Sequence, residues 1–455
     1  MPTRIFGALL ASLVLLPTTT AQPARHPNVV LILADDLGWG DVGFNGRKEW
    51  ATPNLDKLAS QGTRFTRWYA AGVVCAPSRA ALMTGRYTIH CGVSANNQDL
   101  PADEVTIAEA LKPHGYVSGM FGKWHHGRPR PPAKSYVHPL DHGFDEFFGF
   151  TNATAAHQQY PRKLFDGREE KPVEGFANTL FTDRGIDFVR RHRDRPFFLY
   201  MPYTLTHFGI QAPPGDVTEQ KGKFEEKDPA DPLNATYAAM ATRLDKEVGR
   251  LLAAVDEAGL AGDTLIIFTS DHGATFEAGN KGTSAYHRSN GPFRGQKRTL
   301  WEGGIRVPGV VRWPGRVPAG KASNEIIHMT DVLPTVLAAA GGKLPSGRQV
   351  DGRDVLAVWR GEAAAPERTL FFEWRTEGYH QLVAMRGPWK LVLTGNSPPE
   401  FYNVEADPGE MITRQAEHPQ LVKQLRQELN SWLATETSAS KEGKDPAPAA
   451  GANGR

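Results

Sequence analysis

Asn28-Val29-Val30-Leu31-Ile32-Leu33, closed by Ala34-Asp35-Asp36, is a continuous apolar run that stops at two acids. A run of this length with no alternation fits a strand buried on both faces. Residues 115–121, 196–201 and 264–269 read as further strands. Helix signals lie between them. Thr52 stands before Pro53 as a cap, with Gly62 just beyond that helix, and Thr106 and Glu109 have capping-box spacing before Ala110 and Leu111. Asn234 stands as the cap of a long segment whose Tyr237, Leu244, Val248, Leu251 and Val255 form one apolar stripe ending near Gly259. Strands alternating with helices predict an α/β fold, a large mixed, mostly parallel sheet flanked by helices.

After about residue 365 the texture changes. Residues 382–385, 389–393 and 401–404 are short strand-like pieces, and Leu421, Leu425, Leu429 and Trp432 mark one amphipathic helix. The chain therefore divides into a large unit over residues 27–360 and a smaller α+β unit over 365–435, a small antiparallel sheet plus a helix. Residues 438–455, rich in Ala, Pro, Gly, Lys and Ser, read as a disordered tail. At the other end, Arg4 precedes an apolar run from Ile5 to Leu16 and small residues ending at Thr19-Thr20-Ala21. That pattern reads as a signal peptide over residues 1–21, shorter than the ~20 apolar residues of a membrane span. The expectation is an exported protein, periplasmic or secreted, with no stable membrane insertion. Lys plus Arg number 52 against 50 Asp plus Glu, so no global field draws nucleic acid. Cys75 and Cys91 are the only cysteines, too few for a disulfide framework.

Polar clusters follow one strand after another. Asp35-Asp36 comes after the first, Lys123 and His125 after 115–121, His207 after 196–201, and Asp271-His272 after 264–269. Open α/β sheets bind ligands beyond the carboxyl ends of their strands, so these clusters converge on one pocket. Either acidic pair alone reads as a solvated loop. Together they supply three carboxylates and an imidazole, which favours a divalent metal, since adjacent carboxylates cannot both ionise cheaply without positive charge between them. Cys75 heads Cys75-Ala76-Pro77-Ser78-Arg79, with Pro77 suited to a first helical turn. A thiol at a helix N-terminus has a lowered pKa, and Arg79 about one turn on adds a donor for anions. The plainer alternative is a small buried hydrophobe.

Cys75-Ala76-Pro77-Ser78-Arg79 with Leu82-Met83-Thr84-Gly85-Arg86 resembles the signature of the formylglycine-dependent sulfatases, whose fold is alkaline-phosphatase-like. Asp35-Asp36-Leu37-Gly38, Gly122-Lys123-Trp124-His125, Ser270-Asp271-His272-Gly273, and Gly295-Gln296-Lys297 before Glu302-Gly303-Gly304 are similar to further motifs of that family, in its order. The resemblance covers about residues 27–410. It implies that Cys75 is oxidised to formylglycine by a formylglycine-generating enzyme, and that the hydrated aldehyde attacks the sulfur of a sulfate ester. It implies a single Ca2+, in preference to Mg2+, held by Asp35, Asp36, Asp271, His272 and residue 75. It assigns Arg79 and Lys123 to the nucleophile and its charge, His207 and Lys297 to the sulfate and the leaving alcohol, and His125 to release of sulfate. The implied substrate is a sulfated carbohydrate or an aryl sulfate. His126 stands where the family usually has an aliphatic residue, which bears on subfamily and not on reaction class.

Substrate selection is less legible. Asn96, Asn97, Arg128, Arg130, His142, Lys281, Tyr286 and His287 lie near the motifs or in loops that can rim the pocket, with Trp374 and His380 from the C-terminal unit. Three other functions fit the motifs less well: a phosphonate or phosphodiester hydrolase of the same superfamily, a sulfated-glycan binding protein without activity, and a thiol enzyme with Cys75 unmodified. The second has no use for the Cys-x-Pro-Ser-Arg motif.

Overall fold

The computed structural model describes residues 26–127, 137–344, 347–438 and 441. The expected signal peptide lies outside them, as does the expected tail apart from Ser438 and Lys441. Strands β1 (Asn28–Ala34), β2 (Thr63–Tyr69), β3 (Val117–Lys123), β4 (Glu146–Phe150), β5 (Lys163–Asp166), β6 (Glu169–Pro172), β7 (Phe197–Pro202), β8 (Thr264–Ser270), β9 (Arg306–Val307), β10 (Gly309–Arg312) and β11 (Lys321–His328) form one sheet. Its order is β11-β2-β10-β8-β1-β7-β3-β4-β5-β6, with β9 paired to β2. From β8 through β1, β7 and β3 to β4 all pairings are parallel, and β10 joins β8 antiparallel.

The uninterrupted apolar run of β1 follows from this central position. Val29, Leu31 and Leu33 enter the core on one face of the sheet, while Val30, Ile32 and Ala34 enter the core on the other. Strand periodicity of two makes that division automatic. β7 and β8 repeat it, with Phe198, Tyr200, Leu265 and Ile267 on the first face and Phe197, Leu199, Ile266 and Phe268 on the second. Each fully buried large aliphatic side chain contributes up to ~1.5–3 kcal/mol, so the centre of the sheet is its most stable part.

Local signals hold unevenly. The Thr106 capping box forms, with Glu109 N donating to Thr106 Oγ1 at 3.3 Å and Thr106 N donating to the Glu109 carboxylate at 2.8 Å. Thr106→Ala is expected to lower stability by ~1 kcal/mol, read as a shifted urea midpoint with unchanged slope. Thr52 does not cap its helix, because its Oγ1 accepts the Gly43 N–H at 2.8 Å instead. Asn234 is not a cap either. The helix Leu233–Glu257 begins before it, and the Glu226 carboxylate accepts the N–H groups of Asn234 and Ala235 at 2.9 and 2.7 Å. A remote carboxylate serves the same orphan donors and suits the positive end of the helix dipole. The third strand starts at Val117 rather than 115, because Gly115 ends the preceding turn at φ 79°.

The C-terminal region forms a separate antiparallel sheet, β12 (Thr369–Thr376), β13 (Tyr379–Arg386), β14 (Trp389–Thr394) and β15 (Glu400–Asn403). The helix Pro419–Leu433 covers one face through Val422, Leu425, Leu429 and Trp432. The other face packs Leu370, Phe372, Trp374 and Val383 against Tyr69, Val73, Val74, Leu300, Trp301 and Ile305 of the main unit.

Candidate active site

Strand pairing continues past the strand ends and fixes the loops that carry the polar clusters. Asp35 N donates to Leu205 O at 2.8 Å and Asp271 N donates to Ala34 O at 3.1 Å. Asp36 then turns into the left-handed region at φ 60°, and its N–H reaches Asp271 Oδ1 at 3.2 Å. A non-glycine residue held there stores strain, as functional sites often do. Gly273 permits the next contact: a Cβ would lie 1.8 Å from Gly303 O, so the Asp271-His272 loop packs backbone to backbone on the Glu302-Gly303-Gly304 turn.

Cys75 begins the helix Cys75–Thr84, as Pro77 led us to expect, and Gly85 ends it in the left-handed region. The thiol Sγ lies 3.5 Å from Asp35 Oδ1, 3.3 Å from His272 Nε2 and 3.6 Å from Lys123 Nζ. Lys123 Nζ also donates to Asp35 Oδ2 at 2.7 Å. Arg79 is buried among the carboxylates. Its Nη2 lies 2.9 Å from Asp271 Oδ2 and 3.2 Å from Asp35 Oδ1, and its Nη1 donates to Lys123 O at 3.0 Å. Lys297 Nζ donates to both Asp36 oxygens at 2.9 and 3.0 Å and lies 3.3 Å from His207 Nε2. All the expected site residues are thus brought together, His125 included: it is buried beside Lys123 at φ 81°, and neither ring nitrogen has a hydrogen-bond partner among the described residues.

The charges explain the protonation states. Burial opposes ionisation of Asp35, but Lys123 and Arg79 outweigh it and hold the carboxyl well below its ordinary range. Burial likewise opposes Asp36, and Lys297 overcomes it. Asp271 goes the other way: burial raises it, Asp35 and Asp36 add to the rise, and His272 and Arg79 do not fully compensate. Burial would raise the Cys75 thiol too, yet Lys123 and Lys297 bring it down to about 7. His125 is driven well below the ordinary imidazole range by burial and by Lys123, so it is neutral.

The rim differs from the sequence reading. Asn96 accepts the Ala76 N–H at 3.0 Å and so caps the first turn of the Cys75 helix. His142 packs against Trp124, and His287 against Trp50 and Phe224; both are buried. Trp374 is buried under the Arg298 guanidinium, beside Lys297, and His380 pairs with Glu373 at 2.8 Å. Arg128 and Arg130 lie outside the described residues. His126 is buried against Trp124. Sequence reasoning missed His157, whose ring stacks on His207 at 4.8 Å; no motif marks it. It also missed Glu277, 3.7 Å from Lys297. Cys75 and Cys91 are both free and buried.

The sulfatase family's sequence model matches residues 27–342, and that of the N-sulphoglucosamine sulphohydrolase C-terminal region matches 293–435. The steryl-sulfatase of Mus musculus is 32% identical over 91% of this chain and 83% of its own length. The N-acetylgalactosamine-6-sulfatase of the same species is 34% identical over 90% of this chain and 80% of its own. Among solved structures, Ps i-CgsB in complex with k-i-k-neocarrahexaose superposes with a TM-score of 0.83 at 30% identity, covering 92% of this chain and 95% of that one. The fold alone is shared with the phosphonate monoester hydrolase of Agrobacterium radiobacter, at a TM-score of 0.67 and 21% identity. With the family match spanning most of the chain and these relatives aligned along nearly all of it, the protein belongs to the sulfatase family and is an enzyme that hydrolyses sulfate esters.

Proposed function

We propose that this sulfatase acts on a sulfated carbohydrate, with residue 75 as formylglycine and one divalent cation, Ca2+, at the acidic cluster. The observation that carries the reading is the donor set. Oxygens of Asp35 and Asp271, Sγ of Cys75 and a nitrogen of His272 lie within 4.8 Å of one another, and so do donors from Asp35, Asp36, Cys75 and His207. The upward push on Asp271 from its carboxylate neighbours is what a cation among them relieves, and hard oxygen donors suit calcium. When present, the cation supplies Lewis acidity toward sulfate oxygens, and the oxidised residue 75 supplies the attacking oxygen.

The chain's own residues supply the rest. Lys123 sits where it offsets negative charge at residue 75, while Arg79 fixes Asp35 and Asp271. His207 Nδ1–H donates to Phe208 O, which leaves Nε2 as the acceptor facing Lys297. Lys297 and His207 together can hold a sulfate oxygen and pass a proton to the departing alcohol. Neutral His125 can accept a proton at residue 75. The carbohydrate reading draws on Ps i-CgsB, seen with a neocarrahexaose. Residues 27–360 form the catalytic unit in this reading, and residues 365–435 a C-terminal unit packed against it. The N-terminal pattern at residues 4–21 supports export, and a formylglycine-generating enzyme acts on Cys75 during maturation. Among the described residues no helix is long and apolar enough to cross a membrane.

Side-by-side turnover of an aryl sulfate and an aryl phosphodiester tests the reaction class, and the sulfate is expected to be preferred. Chelation followed by dialysis is expected to lower sulfate turnover by about 100-fold or more, with Ca2+ restoring it better than Mg2+. Full activity after chelation, or an unmodified thiol at residue 75 by mass spectrometry of active enzyme, overturns the proposal.

A further inference from the structure

The turn Ala155–His157 is tied to both sides of the site. Ala155 N donates to Asn152 Oδ1 at 3.0 Å, and Asn152 bridges to His126. On the other side His157 O accepts the Gly209 N–H at 3.2 Å. Between these anchors the His157 ring lies nearly parallel to that of His207, 4.8 Å away at 19°, and 4.9 Å from the Phe208 ring. His157 is only half-buried, while His207 beneath it is buried. Among the described residues none hydrogen-bonds the His157 ring nitrogens, and the charges of Lys123, Asp35, Lys297 and Asp36 all act on the ring.

We propose that His157 contacts the alcohol half of the substrate, hydrogen-bonding a sugar hydroxyl beside the ester that is cleaved. This inference rests on the carbohydrate reading above. The stack sets the ring plane and holds the imidazole beside His207, the residue assigned to the departing alcohol. An imidazole can donate from one ring nitrogen and accept at the other, which suits a hydroxyl that does both.

Three variants separate contact from packing. His157→Phe keeps a flat ring on His207 and removes both nitrogens; His157→Gln keeps a donor and an acceptor; His157→Ala keeps neither. The reading is the ratio of kcat/KM for a defined sulfated saccharide to that for an aryl sulfate without hydroxyls. His157→Phe and His157→Ala are expected to lower this ratio by about tenfold, mostly through the saccharide KM, and His157→Gln to recover part of it. A ratio unchanged in His157→Phe, or equal losses on both substrates in all three variants, refutes the contact. Wild-type enzyme that cleaves aryl sulfate and no sulfated saccharide refutes the carbohydrate reading instead.

Discussion

A Cys75→Ser variant is expected to release one alcohol per enzyme and then stop, with steady-state turnover lower by about four orders of magnitude. The substitution leaves an oxygen at the head of the Cys75–Thr84 helix, between Asp35, His272 and Lys123. That oxygen can attack sulfur as its proton passes to neutral His125, the new S–O bond forming while the ester S–O bond breaks and the alcohol leaves with a proton from the Lys297–His207 side. A serine hydroxyl carries no second oxygen on the same carbon, so nothing beside it can expel the sulfate. The protein should therefore gain the mass of one sulfo group, visible by intact mass spectrometry after mixing with substrate. The pocket should still form, because the buried ring of Asp35, Arg79, Asp271 and Lys123 is bonded without the thiol. Sustained turnover by Cys75→Ser would show that residue 75 is not the nucleophile.

Much of this site was legible because each of its groups follows a strand whose burial is written in its composition. β1, β3, β7 and β8 are buried along their length, and the site groups stand at their carboxyl ends or within a few residues beyond them. What stayed hidden depends on partners distant in sequence. Asn234 has the right type for a cap, but only the fold reveals that Glu226 already occupies the role. Arg79 reads as an anion donor, yet folding surrounds it with Asp35 and Asp271, so it orients carboxylates. His157 precedes no motif, and its stacking on His207 arises from a turn pinned to two other loops. The sheet edge from β9 to β11 pairs with β2 across more than two hundred residues, a register that local patterning does not encode.

The same kind of long-range partnership governs the second large effect: Lys390→Ala is expected to lower folding stability by about 3–5 kcal/mol. Lys390 rises from β14 into a fully buried position, 3.0 Å from Glu302 Oε1 and 2.8 Å from Glu410 Oε1. Glu302 also accepts the Tyr69 hydroxyl at 2.9 Å, and its N–H donates to Glu410 Oε2 at 2.7 Å. Removing the ammonium strands two carboxyl groups in the apolar layer between the sheets. Even with Lys390 in place the two do not both ionise freely. Burial, with Glu302 adding to it, pushes Glu410 from 4.5 up to about 7 against the pull of Lys390. A raised folded-state value means the native protein keeps a proton that the unfolded chain has released. The contribution is complete below pH 4.5 and is lost as pH climbs through about 7. Glu410→Gln is therefore expected to flatten stability over that interval, removing a slope of up to about 1.4 kcal/mol per pH unit. Urea midpoints across the interval for wild type, Lys390→Ala and Glu410→Gln check both effects. A loss below about 1 kcal/mol in Lys390→Ala would place the triad with exposed ion pairs. Because Glu302 heads the turn on which the Asp271-His272 loop rests, loosening the triad should also shorten the lifetime of activity on warming.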